Sequence, residues 1–128
     1  DPQATGAYFL ASPCNFDLVF HMKQRENLVR LIEAIENWHH ARNLIEGSTD
    51  KDQLAKLIQE VGELSDNICK GRDMSDYIGD IIVVLINIAA RNNLSIEYCL
   101  TRAWLDIKDR RGRMIDGVFV KQSDLAGA

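Results

Sequence analysis

Gln53-Leu-Ala-Lys-Leu-Ile-Gln-Glu-Val-Gly-Glu-Leu-Ser-Asp-Asn-Ile68 carries two stripes at helical spacing. Leu54, Leu57, Ile58, Val61, Leu64 and Ile68 recur as an amphipathic helix requires, and this apolar stripe predicts a core-facing surface. Gln53, Lys56, Glu60, Glu63 and Asn67 form a second, polar stripe. Residues three or four apart share a helix face, so Glu60 and Glu63 point the same way. The segment reads as one helix with a face for packing and a face for chemistry.

The flanking sequence extends the pattern in both directions. Leu28, Leu31, Ile32, Ile35 and Trp38 mark an earlier helix over 27–43, and Gly47-Ser-Thr-Asp50 supplies a turn with capping residues. Lys70-Gly-Arg-Asp73 interrupts the second helix, after which Ser75 is expected to cap a third that runs to Asn92-Asn93. Asp76, Asp80 and Asn87 share one face of that third helix. Ser95 is expected to cap a fourth helix whose core stripe is Ile96, Cys99, Leu100, Ala103 and Ile107. Asp116-Gly117 between two short apolar runs signals a hairpin. Four helices with short connections imply an all-α fold, an antiparallel four-helix bundle-like unit with a short C-terminal hairpin or extended tail.

Composition bounds the function. At 128 residues, 46% hydrophobic and 27% charged, the chain suits one globular domain. Residues 1–21 read as an N-terminal extension, either a cloning junction or sequence ahead of an internal start at Met22, with apolar pieces able to dock on the domain or a neighbouring subunit. The helical domain is expected over 22–121 and a short tail over 122–128. A net charge of -4 and a pI of 5.3 leave no basic surface for a nucleic-acid polymer. Cys14, Cys69 and Cys99 are odd in number and form no C-x-x-C pair, which suits a reducing cytoplasm better than a disulfide framework. The longest apolar run, Ile81 to Ile86, is far short of the roughly 20 residues that a membrane span needs.

Glu60 and Glu63 on one helix and Asp76 and Asp80 on the next would converge if those helices pack together. An isolated E-x-x-E is usually a solvated surface pair, but Asp80 directly precedes six apolar residues and so is expected to face the interior. Four carboxylates with little histidine favour Mg²⁺, with Mn²⁺ as a substitute, and Mg²⁺ sites often include substrate phosphates. Glu36-Asn-Trp-His39 is the E-x-x-H element of di-iron bundles, but no second copy occurs. His39 and His40 lie about 100° apart on a helix and cannot jointly chelate one ion. Lys108, Arg110, Arg111 and Arg113 cluster where cations favour a helix C-terminus, and they would equally suit a clamp on phosphate oxygens. Trp38 and Trp104 read as core residues before base-stacking platforms.

Lys56-Leu-Ile-Gln-Glu-Val-Gly-Glu-Leu64, Gly79-Asp-Ile-Ile-Val-Val-Leu-Ile-Asn87, Lys108-Asp-Arg-Arg-Gly-Arg-Met114 and Asp116-Gly-Val-Phe-Val-Lys121 occur in that order. The ordered combination resembles the MazG-like branch of the all-α nucleoside triphosphate pyrophosphohydrolases over roughly residues 28–121. In the family pattern of E-x-x-E followed by E-x-x-D, Glu60, Glu63 and Asp80 match. Tyr77 stands at the usual third acid, with Asp76 as the nearest substitute. The resemblance implies Mg²⁺-dependent cleavage of a nucleoside triphosphate, deoxy in preference, between the α and β phosphates, in the service of nucleotide-pool housekeeping. It implies Glu60, Glu63 and Asp80 as catalytic groups that hold the metal with Asp76. Lys108 and Arg110 would bind the departing pyrophosphate, with Asn87, Lys56, Gln53 and Trp38 as weaker candidates for substrate contacts. It also implies a homodimer or homotetramer with sites near subunit interfaces. The alternatives are a nucleotide-binding or regulatory module without hydrolysis and a purely structural bundle.

Overall fold

A computed structural model describes residues 27–126, and the expectations for 1–21 lie outside the described residues. Among the described residues the longer helices are α1 (Leu28–Ala41), α2 (Asp50–Cys69), α3 (Ser75–Arg91) and α4 (Ile96–Ile107). Strands β1 (Gly112–Ile115) and β2 (Val118–Lys121) follow, and a five-residue helix, α5 (Gln122–Ala126), rests against both.

The helix boundaries follow local chemistry. At the start of α2, Thr49 and Asp52 form a reciprocal capping box: the Asp52 amide donates to Thr49 Oγ1 at 3.1 Å and the Thr49 amide donates to Asp52 Oδ2 at 3.0 Å. The Thr49 bonds hold the Asp52 carboxyl below its ordinary value. Gly71, at a φ of 64°, takes the left-handed conformation that ends the helical run. Ser95 caps α4 as expected by accepting from the Tyr98 amide at 3.1 Å. Ser75 does not cap α3, because it is the first helical residue; Asp73 instead accepts from the Ser75 amide and hydroxyl. Asp116 and Gly117, both at positive φ, close the antiparallel hairpin, in which Gly112 pairs with Lys121 and Ile115 with Val118.

Helices α1, α2 and α3 pack together, with Ile32, Ile45, Val84, Ile86 and Ala89 as the buried apolar residues. The bundle expectation requires correction at its fourth member. The chain turns by 99° between α3 and α4, so α4 crosses α3 almost at right angles instead of returning antiparallel to it. No residue of α4 is fully buried. Leu100, Ala103 and Ile107, expected as core, are exposed, and so is Trp104 at 59%.

The amphipathicity of α2 is also inverted relative to expectation. Its buried residues are Glu60 and Asn67, from the polar stripe, while Leu54, Ile58, Val61 and Ile68 of the apolar stripe are exposed, Ile58 by 63%. Leu57 and Leu64 are half-buried at the margin. Periodicity specifies that two unlike faces exist, but not which one the rest of the same chain covers. On α3, Asp80, Asn87 and Arg91 share one side: Asp80 lies near Glu60 and Lys56 of α2, Asn87 bonds α1 and the α1–α2 loop, and Arg91 bonds that loop and Asp50.

Candidate functional site

The seam between α2 and α3 brings the acidic residues of both helices together. Glu60 is buried, at 6% exposed, and its Oε1 pairs with Lys56 Nζ at 3.1 Å one turn away. Its Oε2 is buried with no hydrogen-bond partner. Across the seam, burial pushes the Asp80 carboxyl above its ordinary value. The charges of Asp76 and Glu60 add to that rise, and Lys56 opposes it. Glu60, Asp80, Asp76 and Lys56 therefore lie in one electrostatic neighbourhood. Glu63 is half-buried on the same side of α2, and Asp76 is exposed at the start of α3. Tyr77 is half-buried.

The donor set suits a hard divalent cation in its chemistry, and the unpartnered Glu60 oxygen is an anionic ligand atom already stripped of water. The arrangement is nonetheless looser than the sequence reading of four converging carboxylates. Among the described residues, no three acidic, histidine or cysteine side chains stand close enough together to hold one ion. One Glu60 oxygen is instead engaged along α2 by Lys56.

Beside this seam, α1 and α3 enclose a groove of about 340 Å³ lined by Leu28, Leu31, Ile35, Asp76, Asp80 and Ile82, among others. Its walls are largely apolar, and the two aspartates supply its charge.

The remaining sequence-derived residues are scattered. Asn87 is fully buried, at 0% exposed, and donates through Nδ2 to the Leu44 carbonyl at 3.0 Å and to His39 Nδ1 at 3.2 Å. His39 Nε2 in turn lies 2.9 Å from the Val83 carbonyl, which places the ring proton on Nε2 and leaves Nδ1 to accept. Asn87 thus ties α1 to α3 from inside, and its placement gives no access to a sugar or base. Gln53 donates to Ser48 Oγ at 2.9 Å, two turns from Glu60. Trp38, expected as core, is exposed, with the Arg42 guanidinium 4.3 Å from its ring centroid. Lys108 and Arg110 lie at the far end of α4 and pair locally, with Asp109 at 3.2 Å and Asp106 at 2.6 Å.

Two residues organise the region. His39, weighed from the sequence only as a metal ligand, serves as a structural tie. Arg91, which the sequence reading did not single out, is the other: its Nε donates to Asp50 Oδ1 at 3.0 Å, and its two terminal nitrogens donate to the carbonyls of Leu44, Ile45 and Ser48. The fork locks the α1–α2 loop onto the end of α3 and so sets the position of α2 relative to Asp80. Arg91 follows Asn87 by one turn on the face that carries Asp80, and that spacing was the available signal.

No protein-family model and no solved structure matches the chain. Over 70 residues it is 40% identical to an uncharacterized 18.2 kDa protein in the rep-hol intergenic region of Haemophilus phage HP1. That match covers 53% of this chain and 43% of the phage protein, so the similarity spans less than half of that relative.

Proposed function

We propose that this chain is a Mg²⁺-dependent nucleoside triphosphate pyrophosphohydrolase of the MazG-like kind, cleaving a deoxynucleoside triphosphate between its α and β phosphates to give the monophosphate and pyrophosphate. The observation that carries the reading is Glu60, a buried carboxylate with an unpartnered oxygen at a seam shared with Asp80. A buried anion in that state is costly unless a cation joins it. Glu60 and Asp80 would hold Mg²⁺, or Mn²⁺ in its place, with Glu63 and Asp76 at the flanks. When bound, such an ion supplies charge neutralisation to phosphate oxygens and a water of lowered pKa.

The chain's own side chains complete the reading. Glu63 lies one turn from Glu60 on the same side and is the group to orient the attacking water and accept its proton. Lys56 offsets the Glu60 charge before substrate arrives. Lys108 and Arg110 bind the departing pyrophosphate, and Trp38 and Gln53 supply contacts to base and sugar. The uncovered apolar residues of α2 support a homodimer or homotetramer. The corresponding role is nucleotide-pool housekeeping in the cytoplasm.

A second reading, nucleotide binding without turnover, is favoured by Tyr77 at the position of an acid and by the loose grouping of the carboxylates. A product-resolved screen of deoxy- and ribonucleoside triphosphates with Mg²⁺ separates the two. The expected result is metal-dependent release of pyrophosphate that Glu60→Gln and Asp80→Asn abolish. Tight nucleotide binding with no product would establish the second reading, and neither binding nor turnover would refute both.

A further inference from the structure

Helices α1, α3 and α4 surround an apolar cavity of about 490 Å³ that no described residue fills. Leu28 of α1, Ile82 and Leu85 of α3, and Cys99 and Leu100 of α4 are among its walls, and Asn92 is the one lining residue with a polar side chain besides the Cys99 thiol. The cavity is open at its margin, where Leu28, Leu94 and Leu100 remain 51%, 44% and 62% exposed. Apolar walls of this extent are unfavourable against water and gain contacts from any apolar group that enters. A cavity of roughly 150 Å³ with similar walls takes up a benzene ring, so this one has room for two aromatic side chains.

The described chain begins at the edge of that cavity, because Leu28, the first residue of α1, is part of its wall. The sequence that leads into Leu28 contains Phe16-Asp-Leu-Val-Phe20, apolar at four of five positions, followed by the polar run Lys23-Gln-Arg-Glu26. Phe20 precedes Leu28 by eight residues, and at about 3.6 Å per extended residue it reaches roughly 29 Å from that point, which puts every wall of the cavity within range.

We propose that Phe16-Asp-Leu-Val-Phe20 of this chain seats in the cavity between α1, α3 and α4, with the two phenylalanine rings against Leu85, Leu94 and Leu100 and the Asp17 carboxylate at the open margin. The tether decides this occupant over a second copy or a free apolar ligand. A linker this short holds the segment at an effective concentration on the order of 1 mM, so an intrinsic affinity of only about 0.1 mM keeps the cavity about nine-tenths filled. Leu28, Ile32 and Ile82 line both this cavity and the groove beside Asp80, so the seated segment also backs one wall of that groove. The docking does not depend on the pyrophosphohydrolase reading.

Two native thiols report on it. Cys99 lines the cavity, whereas Cys69 is exposed at the end of α2 and lies outside it. Labelling of the full chain with N-ethylmaleimide, resolved by peptide mass, follows both. The expected result is Cys99 labelling about tenfold slower in the parent than in Phe16→Ser/Phe20→Ser, with Cys69 labelling alike in the two. Equal Cys99 rates would show a cavity open to apolar ligands from outside and would overturn the proposal. A second measurement keeps both aromatic anchors: His21→Cys in a Cys14→Ser/Cys69→Ser background is treated with a short bismaleimide. A link between position 21 and Cys99 should form in the monomer band of a denaturing gel, and faster in the folded chain than in urea. A link confined to the dimer band would assign the cavity to the segment of a second copy. That result, no link at all, or a link formed equally fast in urea would each overturn the docking.

Discussion

Replacing Arg91 by alanine isolates the device that positions α2. Its side chain is only 12% exposed, and in the folded chain its guanidinium donates to Asp50 and to three loop carbonyls. Hydrogen bonds from a charged donor contribute about 1.5–3 kcal/mol each when nothing replaces them. The Leu44 and Ser48 carbonyls are half-buried and can recruit water, whereas Ile45 is buried, so the loss is about 3 kcal/mol rather than the full sum. For a domain of this size, roughly 4 °C of melting temperature accompanies each kcal/mol, which gives a drop of about 12 °C. Asp50→Ala removes only the exposed half of the ion pair, with Asp50 itself 59% exposed, and should cost about 0.5 kcal/mol. Arg91→Lys should recover less than half of the loss, because one ammonium cannot reproduce the fork. Thermal and urea unfolding followed by circular dichroism at one protein concentration would measure all three. An Arg91→Ala variant within 1 kcal/mol of the parent, or an Asp50→Ala variant equally destabilised, would refute the argument.

Asp80→Asn should raise the melting temperature of the metal-free protein at neutral pH. The folded-state pKa of Asp80 lies above its ordinary 3.8, so its charge opposes folding as pH rises past that value, and the advantage of Asn should vanish below it. Thr49→Ala breaks the capping box and should lower the melting temperature by roughly 3–5 °C. The Asp52 pKa is depressed, so its contribution is present above 3.8 and fades as pH falls below that; the gap between variant and parent should narrow in acid. Asn87→Ala leaves His39 Nδ1 without its donor and the Leu44 carbonyl with only the longer bond from Arg91, at a cost of about 2 kcal/mol that urea titration would measure.

The sequence by itself determined the four longer helices, two of their starts and the hairpin, while it misplaced the cap at Ser75 and read the short α5 as a tail. Apolar periodicity placed all four helices, Thr49 and Ser95 marked two starts, and Asp116-Gly117 marked the hairpin, because caps and tight turns depend on a few adjacent residues. Local spacing also put Glu60 and Glu63 on one side of α2 and Asp76 and Asp80 on one side of α3. Only the tertiary structure decided which face of α2 turns inward, since the period of a helix contains no information about what covers it. Glu60 and Asn67 of the polar stripe are inside, with Asp80 of α3 in the electrostatic neighbourhood of Glu60, and that choice left one Glu60 oxygen buried and bare. The 99° turn between α3 and α4 likewise belongs to the tertiary structure, since no pattern within α4 specifies its direction. It also made Arg91 and His39 the ties among α1, the α1–α2 loop and α3, since partners more than forty residues apart in the chain meet only when the helices do.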